Sequence, residues 1–388
     1  MFLFNKNDLF LHNNNGDIMK KNIYIDRFIF FTIFIFYLIS IISINSASIY
    51  LSSSLGNLII KQSIWYLIGL LLIFVIIKFD NKFFYKYSFS IYIINCLLLL
   101  GLLFFAPSIN GSKCWYNIFG FSFQPSEFMK ISLILVYSKI IGEFNKKRKI
   151  NFKDEIILLL KIFILLLIPS ILTFLEPDTG AIIIYFIITF FCLFISKIRI
   201  RWFVILFSFI LLSMSCFFYF YFYEQDIFIN ILGNDFFYRM DRIVNWRNGS
   251  GMQLENSMAA ISASGMFGFG FNNTPIYFPE AGTDFIFGVF ASNFGFLGSS
   301  FLIIFLLLFD IYLINLCNKR INYKDKTLLI GIVGIIFYQQ IQNISMTIGL
   351  LPITGITLPF ISYGGSSLIS YMILIGLVLN ITKEKKNS

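Results

Sequence analysis

The sequence predicts an all-α polytopic membrane protein with about ten transmembrane helices. Of its 388 residues, 58% are hydrophobic and only 13% are charged, which is more apolar surface than a water-soluble fold can bury. The apolar residues gather in runs of about 17 to 25, the length at which a helix crosses a bilayer. Basic residues cluster between these runs, a pattern typical of the loops of membrane proteins.

The apolar runs follow one another along nearly the whole chain. Each predicts a helix, because a helix satisfies its own backbone hydrogen bonds in lipid. The predicted spans are 28–46, 64–80, 84–105, 126–143, 156–175, 180–196, 201–222, 284–310, 327–348 and 363–382. A polar tail, 1–23, precedes them, and 24–388 is expected to form a single membrane domain.

The basic clusters predict the orientation. If both termini lie in the cytoplasm, every cluster falls on the cytoplasmic side; the clusters are "NKKRK" (145–149), "SKIRIR" (196–201), "NKRINYKDK" (318–326) and "KEKK" (383–386). The large extracytoplasmic loop, 223–283, then lies between helices seven and eight. Within it Leu254, Met258 and Ile261 recur at helical spacing, which predicts an amphipathic helix at the membrane surface.

Composition also excludes several functions. The net charge of +10 is spread over the loop clusters, so no nucleic-acid partner is expected. The only histidine, His12, precedes the first span, which excludes a histidine-based active site or metal cage. The five cysteines show no paired spacing and read as small apolar residues, so no disulfide set and no cysteine metal site is predicted.

Asp284 is the first candidate functional residue, because it adjoins a long apolar run and lies close to a second carboxylate, Glu280. Two interpretations are open. Thr283 or Asp284 could cap the eighth helix. Alternatively, partial desolvation could raise the pKa of Asp284 toward that of a general base.

The segment "FQPSEFMK" (123–130) opens the fourth span. Pro125 suits the first turn of a helix, and Ser126 can help to cap it. Glu127 and Lys130 are three residues apart and therefore share a face on which they can pair. Charged residues inside a span usually face the bundle interior and mark function; the alternative is a pair that only anchors the helix end.

Two further segments contain turn-forming residues. In "EPDTG" (176–180), the proline, aspartate and glycine are typical of turns. In "LPITGITLPFISYGGSS" (351–367), prolines and glycines interrupt an apolar stretch, as happens where such a stretch lines a cavity. Ser362 and Tyr363 there are candidate sugar or phosphate contacts, and a tight packing loop is the alternative.

Three arginines of the large loop, Arg239, Arg242 and Arg247, suit the binding of a pyrophosphate or an anionic headgroup. Solvated anchors at the membrane interface are the alternative interpretation.

Taken together, these segments resemble the SEDS family of bacterial wall synthesis, the RodA and FtsW proteins. The order and spacing match from about residue 24 to the end of the chain. The resemblance rests on "NGSKCWYNIFGFSFQPSEFMK" (110–130), "EPDTG" (176–180), "WRNGSGMQLENSMAAISASGMFGFGF" (246–271), "FPEAGTDFIFGVFASNFGFLG" (278–298) and "MTIGLLPITGITLPFISYGGSS" (346–367).

The resemblance implies a peptidoglycan glycosyltransferase that polymerises lipid II at the outer face of the cytoplasmic membrane. The family's catalytic aspartate falls on Asp284, and its buried acid and lysine fall on Glu127 and Lys130. It also implies undecaprenyl-linked glycan as substrate and a class B penicillin-binding transpeptidase as partner. A divalent cation, Mg²⁺ or Mn²⁺, is expected to be shared with the pyrophosphate, since no dedicated metal cage is visible.

Three positions depart from the family pattern. Gly282 stands where a histidine is usual, Cys114 replaces an arginine, and Glu176 replaces a glutamine. The stretch "MTIGLLPITGI" (346–356) favours the RodA branch, and hence a role in elongation and cell shape. Two other functions stay open: a lipid II flippase, for which Glu127, Lys130 and Lys161 are the candidate polar path, and a non-catalytic scaffold of the wall-synthesis complex.

Overall fold

The computed structural model describes residues 26–48, 56–107, 112–118, 121–233, 237 and 252–383. In these ranges the chain forms twelve helices and one antiparallel hairpin. The helices are α1 Arg27–Ser48, α2 Gly56–Lys78, α3 Asn81–Phe105, α4 Pro125–Phe144, α5 Phe152–Leu175, α6 Thr179–Phe194, α7 Ile200–Tyr223, α8 Gln225–Leu232, α9 Met252–Ala263, α10 Ile286–Asn318, α11 Tyr323–Thr347 and α12 Gly365–Thr382; the strands are β1 Tyr116–Ile118 and β2 Phe121–Phe123.

Each of the ten predicted spans falls on one of these helices, and the chain is an all-α polytopic membrane protein. Within the described ranges, eight helices are long and apolar enough to cross a bilayer. The two others are α6, which has only 16 residues, and α4, which carries charged residues at both ends. The total number of crossings stays a prediction.

The centre of the bundle is formed by α11 and α12. In each of these helices, 72% of the residues in the most apolar stretch are buried. In α7 none of the corresponding residues is buried by the rest of the chain. Helix α11 packs against α4, α6 and α10, and α12 packs against α2. The ends of α11 and α12 therefore position the loops and side chains at the two ends of the bundle.

Helix α2 begins at Gly56, well before the predicted start at residue 64. The polar residues of its first turns made that stretch look like a loop. Gln62 is fully buried and donates hydrogen bonds to Ser40 Oγ at 3.1 Å and to the carbonyl of Ser362 at 3.2 Å. Because these partners are distant in sequence, local hydrophobicity could not indicate them.

The predicted amphipathic helix of the large loop is present as α9, but its buried face differs. Leu254, Ser257 and Ala260 are buried, while Met258 is 44% exposed. Ser257 donates to the carbonyl of Thr347, at the end of α11, over 3.2 Å. The helix packs on α10 and α11, and its position at the membrane surface stays a prediction.

Helix α10 is interrupted at Gly295, where φ is +64° and ψ is −160°. The segment after α9 packs into this break: Gly270 N donates to Asn293 O at 3.0 Å, and Phe296 N donates to Gly265 O at 2.9 Å. Gly268 has φ +78°, and a Cβ there would lie 2.2 Å from Asn293 O. Only glycine allows this close approach of two backbones.

We expect Gly268→Ala to destabilise the protein much more than Gly265→Ala. Both glycines have positive φ, but a Cβ at Gly265 meets nothing within 4 Å. The control substitution thus carries only the cost of the left-handed backbone, about 1 kcal/mol, and Gly268→Ala adds a backbone clash. Thermal unfolding in detergent measures the difference. Equal losses of melting temperature would contradict the close approach.

Candidate functional site

Asp284 lies in a tight turn between α9 and α10. Thr283 N and Phe285 N both donate to the carbonyl of Glu280 at 3.1 Å, and Glu280 itself has φ +55°. Helix α10 begins after Phe285, with no side-chain cap. The capping interpretation of Thr283 and Asp284 is therefore wrong. Among the described residues, none donates a hydrogen bond to the half-buried Asp284 carboxylate.

The backbone of this turn is held at three consecutive residues. Tyr363 N donates to Gly282 O at 2.9 Å, and Ser362 Oγ donates to Thr283 O at 2.6 Å. On the other side, Asn343 Nδ2 donates to the carbonyl of Asp284 at 2.7 Å. The position of the Asp284 carboxylate is thus fixed through its backbone, which leaves its oxygens available for chemistry.

Asn343 was missed by the sequence analysis. It is fully buried in α11, and its amide also donates to Ile356 O at 2.8 Å. One side chain thereby joins the Asp284 turn to the loop that follows α11. A buried amide inside an apolar span is unusual and was the one signal available, but no local motif surrounds it.

The loop between α11 and α12 forms a second wall of the site. A Cβ at Gly355 would lie 3.6 Å from Asp284 Oδ2, and one at Gly180 would lie 2.8 Å from Thr354 O. The loop is thus packed between Asp284 and the turn after α5. Ser362 Oγ also accepts from Leu358 N at 2.8 Å, so this hydroxyl stabilises the loop. Contact of Ser362 and Tyr363 with a substrate stays a prediction.

A second group of charged residues lies at the start of α4. The predicted pairing of Glu127 with Lys130 is confirmed: Lys130 Nζ lies 2.6 Å from Glu127 Oε2, and Lys130 is only 1% exposed. Ser370 Oγ donates to the same carboxylate at 3.0 Å, and the ammonium lies 5.3 Å from the centre of the Tyr371 ring. This pair is packed into the bundle, against α12.

Asp178 links α4 to α6. It caps α6 by accepting from Ala181 N, and it also accepts from Ser126 Oγ and Gln124 Nε2, each at 3.0 Å. Pro125 is the first residue of α4, as predicted, but the residue before that helix is Gln124. The prediction that Ser126 helps to cap α4 is therefore wrong, since its hydroxyl binds Asp178.

Glu176 is completely buried, and neither of its carboxyl oxygens has a hydrogen-bond partner among the described residues. Burial, and secondarily the nearby Asp178, raises the pKa of Glu176 to about 9. The group is therefore neutral at pH 7. Cys114 Sγ donates to its carbonyl at 3.2 Å, so two of the three departures from the family pattern are in contact.

The electrostatics at Asp284 suit a general base. Desolvation, with a smaller contribution from Glu280, raises the pKa of Asp284 to about 7. A base with a pKa near the working pH takes up and releases protons most effectively. The predicted ligands Arg239, Arg242 and Arg247 lie outside the described residues.

The structure thus defines a class: a multi-pass membrane protein with carboxylates gathered at one end of its helix bundle. Residues 26–387 match the model of the cell cycle protein family FtsW/RodA/SpoVE. This chain belongs to that family, as its motifs predicted.

Relatives and solved structures agree with this assignment. The chain is similar to a probable peptidoglycan glycosyltransferase FtsW of Wigglesworthia glossinidia brevipalpis, with 34% identity over 95% of each chain. It is also similar to a chain in a structure of a peptidoglycan synthase complex, with a TM-score of 0.77, 25% identity and coverage of 94% and 99%. The rod shape determining protein RodA of Thermus thermophilus shares the fold, with a TM-score of 0.67, 23% identity and coverage of 94% and 98%. Since both branches occur among these matches, the RodA branch stays a prediction.

We expect Asn343→Ala to loosen the Asp284 turn, because the buried carbonyl of Ile356 and the part-buried carbonyl of Asp284 lose their donor, at about 1–3 kcal/mol for each fully buried group. Hydrogen exchange of residues 282–285 should accelerate, and the melting temperature should fall. Gln342→Ala is the matched control: Gln342 donates to Pro352 O at 3.0 Å and holds the same loop without touching the turn. Equal hydrogen-exchange rates of residues 282–285 in the two variants would contradict this role of Asn343.

Glu176→Gln should stabilise the protein at neutral and alkaline pH. Because the pKa of Glu176 is raised in the folded state, its carboxyl lowers stability progressively as pH rises from its unfolded value toward 9. Glutamine keeps the shape of the neutral acid and has no such dependence. The melting temperatures of the two proteins should therefore coincide near pH 4.5 and separate at pH 8, the variant being higher. Parallel pH curves would contradict the buried neutral acid.

Proposed function

We propose that this chain is a peptidoglycan glycosyltransferase that polymerises lipid II at the outer face of the bacterial cytoplasmic membrane. The proposal rests on one observation, the position and surroundings of Asp284. It is a half-buried carboxylate of raised pKa, its backbone is fixed, and it falls on the catalytic position of the family motif. The function in the name of the FtsW relative points the same way.

In the proposed reaction, Asp284 takes the proton of the 4-hydroxyl of an incoming N-acetylglucosamine. The oxygen attacks C1 of the N-acetylmuramic acid at the end of the growing glycan. The bond from C1 to the phosphate oxygen breaks, and its electron pair leaves with undecaprenyl pyrophosphate. The proton on Asp284 is later released to water, which restores the base.

The residues around Asp284 would keep it competent for this step. Asn343, Ser362 and Tyr363 fix the backbone on both sides of the carboxylate, and such positioning lowers the cost of reaching the reactive geometry. Glu280 keeps the carboxylate a stronger base, because a nearby negative charge disfavours deprotonation.

Substrate binding is proposed for the other charged groups. Glu127, which is slightly exposed, would contact the substrate from the side of α4, and the buried Lys130 would hold it in place. Arg239, Arg242 and Arg247 would stabilise the charge that develops on the leaving pyrophosphate.

A divalent cation, Mg²⁺ or Mn²⁺, stays a proposal. Its ligands would come from the oxygens of the pyrophosphate with which it is shared, since such cations prefer oxygen ligands. Among the described residues no group of three or more ligating side chains comes together, so substrate oxygens would complete the coordination. When bound, the cation would neutralise charge on the pyrophosphate.

The same proposal includes the topology of the enzyme, its partner and its role in the cell. Both termini would lie in the cytoplasm, and a class B penicillin-binding transpeptidase would crosslink the glycan made here. The similarity to a chain of a synthase complex supports such a partner. The stretch "MTIGLLPITGI" supports a role in elongation and cell shape.

The flippase alternative is less well supported by the structure. Of the three residues that the sequence offered for a polar path, Lys161 lies on the exposed face of α5 and so does not line the bundle interior. Asp310 is a further buried carboxyl, which accepts from Gln340 Nε2 at 3.3 Å. In the described part of the chain it forms no ion pair, and a single carboxyl provides no continuous path.

We expect Asp284→Asn to lower polymerisation by at least about 100-fold, the lower bound for loss of a general base. The protein would be incubated with labelled lipid II, a divalent cation and its cognate transpeptidase, and glycan ladders would be resolved on a gel. The wild-type rate should rise with pH through about 7, because only the ionised carboxylate accepts a proton. Glu280→Gln should move this midpoint to lower pH.

Glu280→Gln is also the matched control, since it removes a neighbouring carboxylate and keeps an oxygen that can accept the hydrogen bond from Thr283 Oγ1. Equal glycan ladders from the wild type and from Asp284→Asn would contradict the role of Asp284 as general base. Absence of ladders from all proteins, with the transpeptidase bound, would favour the scaffold; translocation of lipid II under the same conditions would favour the flippase.

A further inference from the structure

A cavity of about 700 Å³ lies at the end of the bundle opposite Asp284. It forms where α3 and α11 begin and where α4 and α12 end. Its lining contains two aspartates and six lysines: Lys82, Lys86, Lys139, Lys146, Lys324 and Lys383. This end also carries the basic loops 145–149 and 318–326, which are predicted to be cytoplasmic.

Four of the six lysines form no ion pair with the described residues. Lys82, Lys86 and Lys146 have no carboxylate within 4.0 Å in the part of the chain that the structure describes, and neither has Lys139. Lys324 is different, since its ammonium lies 2.9 Å from Glu143. Several positive charges therefore face one concave space, where their potentials add.

In the described part of the chain, the carboxylate of Asp325 forms no ion pair with these lysines. Its Oδ1 accepts from Tyr85 Oη at 2.6 Å, and its Oδ2 accepts from Asn322 Nδ2 at 2.8 Å. Both oxygens are thus held by neutral donors in the wall of the cavity. An anion that enters at Lys82, Lys86 or Lys139 meets ammonium groups that form no ion pair with the described residues.

Exposed aromatic side chains lie next to the cavity-lining residues Lys82 and Lys86, at the start of α3 and just before it. Phe79, Phe83 and Tyr87 are 41–44% exposed, and successive ring centres lie 5.1 and 4.8 Å apart. Lys86 Nζ lies 5.3 Å from the Tyr87 ring centre. Lysines at the edge of exposed aromatic rings are typical of the membrane interface, where a charged headgroup meets apolar chains.

We propose that this cavity binds the phosphate headgroup of an anionic phospholipid. Lys82, Lys86 and Lys139 bind the phosphodiester, and the rings of Phe83 and Tyr87 contact the beginning of the acyl chains. Basic pockets between transmembrane helices on the cytoplasmic side recognise such headgroups. A free phosphate would satisfy the lysines but would leave the exposed aromatic side chains without a function, which favours the lipid.

The experiment measures lipid binding to the full-length protein in detergent by native mass spectrometry. Dioleoyl phosphatidylglycerol should bind more tightly than dioleoyl phosphatidylcholine. Lys82→Gln/Lys139→Gln should weaken phosphatidylglycerol binding by about tenfold or more, because each lysine contributes about 1 kcal/mol at such a surface. Lys82→Arg/Lys139→Arg, which keeps both charges, should retain the binding and show that the fold tolerates substitution there.

Lys149→Gln/Lys153→Gln is the charge-matched control. Both lysines are exposed at the same end of the bundle and lie outside the cavity lining. An equal loss in this control would mean diffuse attraction and would overturn the proposal, as would equal affinity for phosphatidylcholine. Displacement of the lipid by glycerol 3-phosphate at comparable concentrations would assign the cavity to a free phosphate instead.

Discussion

The hydrogen bonds that Asn343 makes from the middle of the bundle are the constraint on which the candidate site depends. Its amide donates at once to Asp284 O and to Ile356 O. The turn that carries the carboxylate is thereby tied to the loop that forms the opposite wall. A fully buried amide has no alternative partner in water, so this arrangement is strongly preferred over any in which the two carbonyls separate. Rigid support of this kind leaves Asp284 free to exchange a proton.

The same end of the bundle concentrates groups that are costly to bury. The Glu127–Lys130 pair is almost inaccessible, Asp178 is held by three hydrogen bonds, and Glu176 is neutralised by its raised pKa. Buried charges on this scale contribute little net stability even when paired. Their accumulation near Asp284 agrees with the proposed binding of a polar substrate at this end of the bundle.

The two ends of the bundle differ in chemistry. One end holds carboxylates around a fixed turn, and the other presents lysines around an open cavity, with exposed aromatic rings next to two of them. A helix such as α11, with 25 residues, spans roughly 37 Å at 1.5 Å per residue. The proposed enzymatic site and the proposed lipid site are therefore separated by the thickness of the membrane, so that each can be altered without touching the other.

The sequence by itself determined the class of fold, the ten helical segments, the Glu127–Lys130 pair and the family. These features depend on composition, on helical spacing or on contiguous motifs, which are local properties of the chain. The early start of α2, the bond from Ser126 to Asp178 and the role of Asn343 were decided only by the tertiary structure. Each depends on a polar partner far away in sequence, and the polarity of Gln62 or Asn343 alone does not indicate which partner it will meet. Whether Asp284 caps a helix or stands free was likewise settled by how the loop after α11 packs against its turn.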